Sequence, residues 1–304
     1  MADQGEKPRL SRNTVLKAGA ILGGATALLA VGCSSNLTQE ESVQATAQAL
    51  GAEGLKEELA KLNPVQKYLT VKLENERSLV GKSGNEEARG GGTGYFFYQE
   101  KLADGRTLSL MVSSGHGNNQ WVEGFCISQP HLENGSARSV KDTAKEKFYV
   151  FPATGDAVIV AMVTQKPLTV IENDFVIPIK KDPLQEGIET TILGFPKMAP
   201  YGFVTSGKVG QTTIDKVAGP IFDVVGATGG NGISGAPVMV GNTLVGIVRG
   251  ASDDGRGLKS VILGPMLERL IKARGEEGEV AKSVDDVLRR EGINKTVWTE
   301  LDLR

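Results

Sequence analysis

Asp156-Ala157-Val158-Ile159-Val160-Ala161-Met162-Val163 is a continuous apolar run rich in β-branched residues, with Gly155 before it and Thr164-Gln165 behind. Such a run, bounded by turn and polar residues, reads as a strand. Similar runs recur on both sides of it between residues 93 and 263: GYFFY, LSLMVSS, FVIPI, TTILGF, FVTSGKV, IFDVV, PVMV and TLVGIVRG. Gly, Pro, Asn or Asp bound them. Many short strands separated by turns predict a mainly β domain, a sandwich or a barrel. The 39 glycines suit the tight turns such a fold needs.

Outside this region the texture changes. Residues 34–92 read as a polar spacer, partly helical. Leu50, Leu55, Leu59 and Leu62 fall at helical intervals, Gly51 and Gly54 interrupt them, and Asn63-Pro64 ends the pattern. Residues 65–80 fit a further helix or the first strand, and 81–92 a loop. Past the strands, PMLERLIKAR over 265–274 predicts a helix with Pro265 at its start and Gly275 past its end. Residues 275–304 read as a tail with a short amphipathic helix over 281–291.

The front of the chain has its own logic. Lys7, Arg9, Arg12 and Lys17 precede the uncharged run AGAILGGATALLAVG, and Cys33 follows. A basic segment, a short apolar stretch and small residues at its end predict a signal peptide over residues 1–33. The run is short for a membrane-spanning helix, which needs about 20 apolar residues. Ala30-Val31-Gly32-Cys33 resembles a bacterial lipoprotein cleavage box, which implies lipidation of Cys33 and a membrane tether; plain secretion and an uncleaved anchor are the alternatives. The stretch from Ser11 to Lys17 resembles a twin-arginine export motif, with Asn13 in place of the second arginine. Each route predicts an exported protein of the cell envelope.

Composition closes off other chemistry. A net charge of −2 and a pI near 5.9 provide no basic field for nucleic acid. The histidines are His116 and His131, and the cysteines Cys33 and Cys126, too few for a His- or Cys-rich metal site. Cys126 follows Phe125 in an apolar stretch and reads as a buried thiol. The glycine-rich segment from Gly226 to Gly232 looks like a dinucleotide loop, but it runs into a turn and a strand, whereas a phosphate loop must open a helix. No metal and no cofactor is expected.

Ser234 lies within Gly232-Ile233-Ser234-Gly235-Ala236-Pro237. A serine between glycines can expose its hydroxyl on a tight turn, and the turn's N–H groups can converge on one point. Its hydroxyl still needs a base, and the base an orienting partner. His116 follows the run LSLMVSS and Asp156 opens the run quoted first. The order His, Asp, Ser is one of the known chain orders for such a triad. His131, in Gln129-Pro130-His131-Leu132, and Asp142, in a charged run, are weaker candidates.

Residues 93–263 resemble a trypsin-like protease domain of the bacterial HtrA type. Thr93-Gly94-Tyr95-Phe96 is similar to that family's GTGF strand, Leu110 to His116 to LTNAH, and Asp156 to Val160 to DLAVL. Ile192 to Pro196 is similar to AIGNP, Val204 to Val209 to VTSGIV, and Gly232 to Pro237 with Leu244 to Val248 to GNSGGP followed by VVGI. The resemblance implies a trypsin-like serine protease domain over 93–274, built as a double antiparallel β-barrel with its site in the cleft. It implies Ser234 as nucleophile, His116 as base and Asp156 as its orienter, with an oxyanion hole from the backbone of Gly232 and Ser234. It also implies substrate contacts at Thr228, Gly229, Val248, Arg249 and Gly250, and protein or peptide substrates. Gly115 stands where the family has Ala, and with Gly117 it predicts a loose His loop. Ala236 replaces the second glycine of the serine motif. The residues after 263 are too few for the PDZ domain common in that family. No acidic residue is placed at the base of the primary pocket, so a preference for Lys or Arg is not supported; small or apolar side chains are expected. The other class of reading is a catalytically inactive, protease-like module that binds peptides or proteins at the cell surface.

Overall fold

The structure is a computed structural model. It describes residues 38–75, 91–116 and 124–267, apart from 136, 142, 153–155, 183, 217–218 and 254, together with 289, 291–292 and 301–302. The export segment with Cys33, the Asp142 candidate, Gly117 and most of both C-terminal helices lie outside the described residues.

Helix α1 (Gln39–Lys61) opens on a capping box: Glu41 N donates to Thr38 Oγ1 and Thr38 N donates to Glu41 Oε2. Gly51, at φ 60°, kinks it where glycine interrupts the helical pattern. The helix is not a free spacer. Leu59 and Leu62 pack on Leu193, and Val43 joins the core of the second barrel. Asn63 caps α2 (Pro64–Leu69) by accepting from Val65 N, with Pro64 at the first helical position. The chain then runs directly into β1 (Thr70–Asn75).

Strand β1 corrects the spacer boundary. It lies between β2 (Gly91–Lys101) and β4 (Phe125–Ser128), with Thr70 opposite Tyr95 and Leu73 opposite Ile127. Val71 and Leu73 are buried while Lys72 and Glu74 are half-buried, the period-two pattern of a strand. The protein's first lobe therefore begins before residue 93.

That lobe is an eight-stranded sheet of order β5-β4-β1-β2-β3-β7-β6, with β8 (Phe175–Val176) beside β2. It adds β3 (Thr107–Ser114), β5 (Ala137–Val140), β6 (Lys147–Pro152) and β7 (Ala157–Thr164). The sheet curls: Phe125 of β4 meets Phe148 of β6 edge to face, with ring centroids 5.4 Å apart. Every residue of β3 and of β7 is buried, which is why β7 reads as a nearly unbroken apolar run rather than an alternating one, while β3 buries Thr107, Ser109, Ser113 and Ser114 among its apolar residues. The second lobe is a closed six-stranded barrel of order β10-β11-β14-β13-β12-β9. It comprises β9 (Glu189–Gly194), β10 (Phe203–Asp215), β11 (Gly219–Val225), β12 (Pro237–Val240), β13 (Thr243–Ala251) and β14 (Gly257–Ile262). All strand ladders are antiparallel.

The lobes share apolar contacts. Ile221, Met239, Leu244, Ile247 and Val261 of the barrel belong to the same buried cluster as the first sheet. Residues 263–267 are helical, the start of the helix expected from 265. The C-terminal region returns to the first lobe. Leu301 joins its core, Ile179 N donates to the Asp302 carbonyl, and Arg106 pairs with Glu291. Among the described residues no helix is long and apolar enough to cross a membrane.

His131 is a structural group in this frame. Its Nε2 bonds the Lys67 carbonyl at 2.7 Å, its ring lies against Phe195, and its buried Nδ1 has no partner among the described residues. Burial pushes the imidazole from 6.5 down to about 4. Between those values the unfolded chain binds a proton that the native protein refuses. Stability is therefore fully present above pH 6.5 and falls as the pH drops toward 4. Urea unfolding at pH 7 and pH 4 should show a loss about 3 kcal/mol smaller in His131→Asn, which lacks the titrating ring, than in the wild type. Identical pH dependence in the two proteins would refute this role.

Candidate active site

The ladder between β3 and β7 ends with Ser114 opposite Ala157. One residue beyond that pair on each strand, Gly115 N donates to the Asp156 carbonyl at 2.6 Å. A Cβ at position 115 would come within 3.0 Å of the Asp156 carbonyl carbon. Glycine there permits a close backbone approach to Asp156, so at position 115 it serves contact rather than freedom. Asp156 is the one described non-glycine residue with positive φ, at 67°. Aspartate tolerates this left-handed conformation better than most residues. Asp156 Oδ2 bonds His116 Nδ1 at 2.8 Å. With its Nδ1–H given to the carboxylate, the half-exposed imidazole presents Nε2 as an acceptor.

The Ser234 turn is held from two directions. Within the barrel, Ile233 N donates to Gly230 O, Ala236 N to Ile233 O, and Gly235 N to Val248 O at 2.7 Å. From the first lobe, Thr93 of β2 donates its N–H to Ser234 O at 2.9 Å and its hydroxyl to Gly232 O at 3.0 Å. The same hydroxyl accepts Phe195 N, and the Thr93 carbonyl accepts the Ser113 hydroxyl. Gly235, at φ 86°, lies so close that a Cβ would sit 2.1 Å from Thr93 O and 2.5 Å from Ser113 Oγ. Only glycine fits that contact. Among the described residues the N–H groups of Gly232 and Ser234 donate to no acceptor, while those of Ile233, Gly235 and Ala236 do.

The Ser234 hydroxyl donates to the Arg249 carbonyl at 3.3 Å, and among the described residues it has no hydrogen bond to His116. Arg249 also reaches the other half of the site: its Nε lies 3.5 Å from Asp156 Oδ2. The structure thus brings His116 and Asp156 into direct contact, and Arg249 touches both Asp156 and Ser234.

The expected substrate contacts divide. Arg249 and Gly250 sit at a bulge in β13, half-buried beside the serine turn. Thr228 is tied down through its N–H to Thr205 Oγ1, and the buried Gly229 faces the Ile233 and Leu258 side chains. Val248 is a correction. It is fully buried, its N–H donates to Ala236 O and its carbonyl accepts Gly235 N, so no polar group remains for a substrate backbone. Cys126 is a buried thiol on β4 and belongs to no disulfide among the described residues. The segment from Gly226 passes from β11 to β12 without opening a helix. A cavity of about 910 Å³ between α1 and the loops around His131 and Tyr201 includes none of His116, Asp156 and Ser234 in its lining. Among the described residues no group of three or more His, Cys, Asp or Glu side chains could hold a metal ion.

No family model matches the chain, and no curated protein matches it in sequence. Solved structures similar to it include proteases. An inactive form of Rv3671c from M. tuberculosis H37Rv is 14% identical, with 71% of this chain and 93% of that one covered and a TM-score of 0.48. The active form of the M. tuberculosis Rv3671c protease is 17% identical over 69% and 84% of the two chains, with a TM-score of 0.46. The HtrA-type protease AlgW with a tripeptide is 12% identical over 74% of this chain and 64% of that one, with a TM-score of 0.48.

Two features escaped the sequence: Thr93 as the knot of the site, and the ion pairing of Arg249. The first carries a prediction. Thr93→Val keeps the shape but leaves the half-buried Gly232 carbonyl and the buried Phe195 N–H without the hydroxyl, and should destabilise the protein by about 1–3 kcal/mol in denaturant unfolding. Thr93→Ser keeps the hydroxyl and should cost about 1 kcal/mol. Equal losses in the two variants would mean that the hydroxyl does not hold the turn.

Proposed function

We propose that this chain is an exported serine endopeptidase in which Ser234, His116 and Asp156 form the catalytic triad. The observation that carries the proposal is the His116–Asp156 hydrogen bond, linked through Arg249 to a serine turn whose Gly232 and Ser234 N–H groups donate to no acceptor among the described residues. In this scheme the Ser234 hydroxyl turns from the Arg249 carbonyl to His116 Nε2 when substrate enters. Its oxygen attacks the scissile carbonyl while Nε2 takes the proton. Asp156 holds Nδ1–H and stabilises the imidazolium that forms. The negative charge that develops on the carbonyl oxygen falls on the two free N–H groups, an arrangement in which one donor is worth about 10²–10³ in rate. The intermediate collapses, the peptide C–N bond breaks and His116 returns its proton to the leaving amine. A water then enters, gives its proton to His116 and attacks the acyl group, and the proton passes back to Ser234 as the acid leaves. The half-buried Arg249–Gly250 bulge is the place for a substrate strand to add its backbone.

The export segment supports a tether at Cys33 that would hold the enzyme at a membrane surface, with α1 beginning soon after the tether point. A second reading, a catalytically inactive peptide-binding relative, is favoured by one observation: the Ser234 hydroxyl is engaged with Arg249 and not with His116.

Hydrolysis of quenched fluorescent casein by the full-length chain in detergent separates the two. Ser234→Ala and His116→Ala should each lower the rate by about 10³-fold or more, with their unfolding midpoints little changed. A folded wild type without activity, or activity that survives in Ser234→Ala, would sink the protease proposal.

A further inference from the structure

Arg249 is the residue on which the site's charges converge. The β13–β14 ladder pairs Val248 with Ser260 and then Gly250 with Lys259, so Arg249 is the extra residue of a bulge. A bulge re-aims the side chain it carries. Here the side chain crosses from the barrel to the first lobe. Its Nε lies 3.5 Å from Asp156 Oδ2, the oxygen that also accepts His116 Nδ1, and its Nη1 donates to Asp215 Oδ2 at 3.2 Å. Asp215 ends β10, in the same barrel as Arg249. The guanidinium is about one-third exposed.

We infer that the Arg249 side chain is a positioning residue that clamps Asp156 of the first lobe to the barrel, with Asp215 fixing the clamp's far end. The inference rests on the protease reading of the site. Two effects of the cation oppose each other. Its charge competes with an imidazolium for the Asp156 carboxylate, whereas its grip fixes where that carboxylate, and so His116, sits relative to Ser234. Asp215 decides between them. Paired with it, Arg249 presents His116 with a nearly neutral ion pair whose field falls off quickly. The geometric effect is not cancelled in this way, and a misplacement of about 1 Å can lower a rate by about 10²-fold. His116 and Asp156 belong to one lobe and Ser234 to the other, so an ion pair across the cleft acts on that relative placement. An arginine suits the task because its rigid planar fork gives Nε to one carboxylate and Nη1 to the other in a fixed geometry, whereas a lysine offers both the same freely rotating ammonium.

The test uses the full-length chain in detergent with Arg249→Ala, Arg249→Lys and Asp215→Asn. It reads kcat and KM on a quenched peptide that the wild type cleaves, and the downfield proton resonance of His116 Nδ1–H, assigned by its loss in His116→Ala. Arg249→Ala should lower kcat by about 10–100-fold with KM changed less than about threefold, and should broaden or abolish the resonance. Arg249→Lys and Asp215→Asn should fall between that variant and the wild type. An unchanged kcat and resonance in Arg249→Ala would overturn the inference. A raised KM with unchanged kcat would also overturn it, because it would make the side chain a substrate contact. If the wild type cleaves nothing, the protease reading fails on its own, and the resonance still decides whether Arg249 holds the His116–Asp156 pair.

Discussion

The site hangs on Thr93. This fully buried residue commits its N–H to the Ser234 carbonyl, its hydroxyl to both Gly232 O and Phe195 N, and its carbonyl to the Ser113 hydroxyl. The bonds to Phe195 N and from the Ser113 hydroxyl are buried, so breaking either strands a polar group. Together the bonds of Thr93 join the serine turn, the end of β9 and the end of β3, and β3 leads directly to His116. Gly235 completes the knot, since any larger residue would strike the Thr93 carbonyl. The turn is therefore set by the opposite lobe as much as by its own sequence.

The two lobes can hold such a contact because they do not pack as separate bodies. Barrel residues such as Met239 and Ile247 lie in one buried cluster with β3 and β7 of the first sheet. The α1 helix and the C-terminal residues around Leu301 extend this packing to the chain's flanks. A fixed lobe-to-lobe relation suits a site whose parts come from both sides. His116 and Asp156 share one strand pair, while Ser234 and Arg249 are placed by the barrel.

Most of the strands between 93 and 263 were legible because their β-branched and aromatic residues cluster in short runs between turn residues, as in β7, β9 and β13, whereas β4, β5, β6 and β14 are short or mixed with polar residues and left no such run. The His116, Asp156 and Ser234 contexts were legible for a related reason: each sits at a strand end or a glycine turn, where local residue choice is constrained. The first strand was harder. Only Val71 and Leu73 mark β1, and a pattern that short does not stand out beside the helical spacing before it. The docking of α1 was hidden because its apolar positions are sparse and broken by glycine. Val248 was assigned to the substrate from its place in a motif, but its backbone partners depend on the fold of the serine turn. The role of Gly115 was reversed for the same reason. Glycine signals freedom or close approach, and only the neighbouring Asp156 backbone decides which. Arg249 escaped because a bulge changes where a side chain points, and no pattern in one strand announces it.

In the proposed triad His116 and Asp156 activate Ser234. Reaction of the full-length chain with a fluorophosphonate, followed by digestion and tandem mass spectrometry, tests it without knowledge of the substrate. Activation by that pair should give a single phosphonyl adduct on Ser234, formed with loss of fluoride, and its near-absence in His116→Ala. A folded wild type that forms no adduct, or a His116→Ala protein that reacts at the wild-type rate, would contradict it.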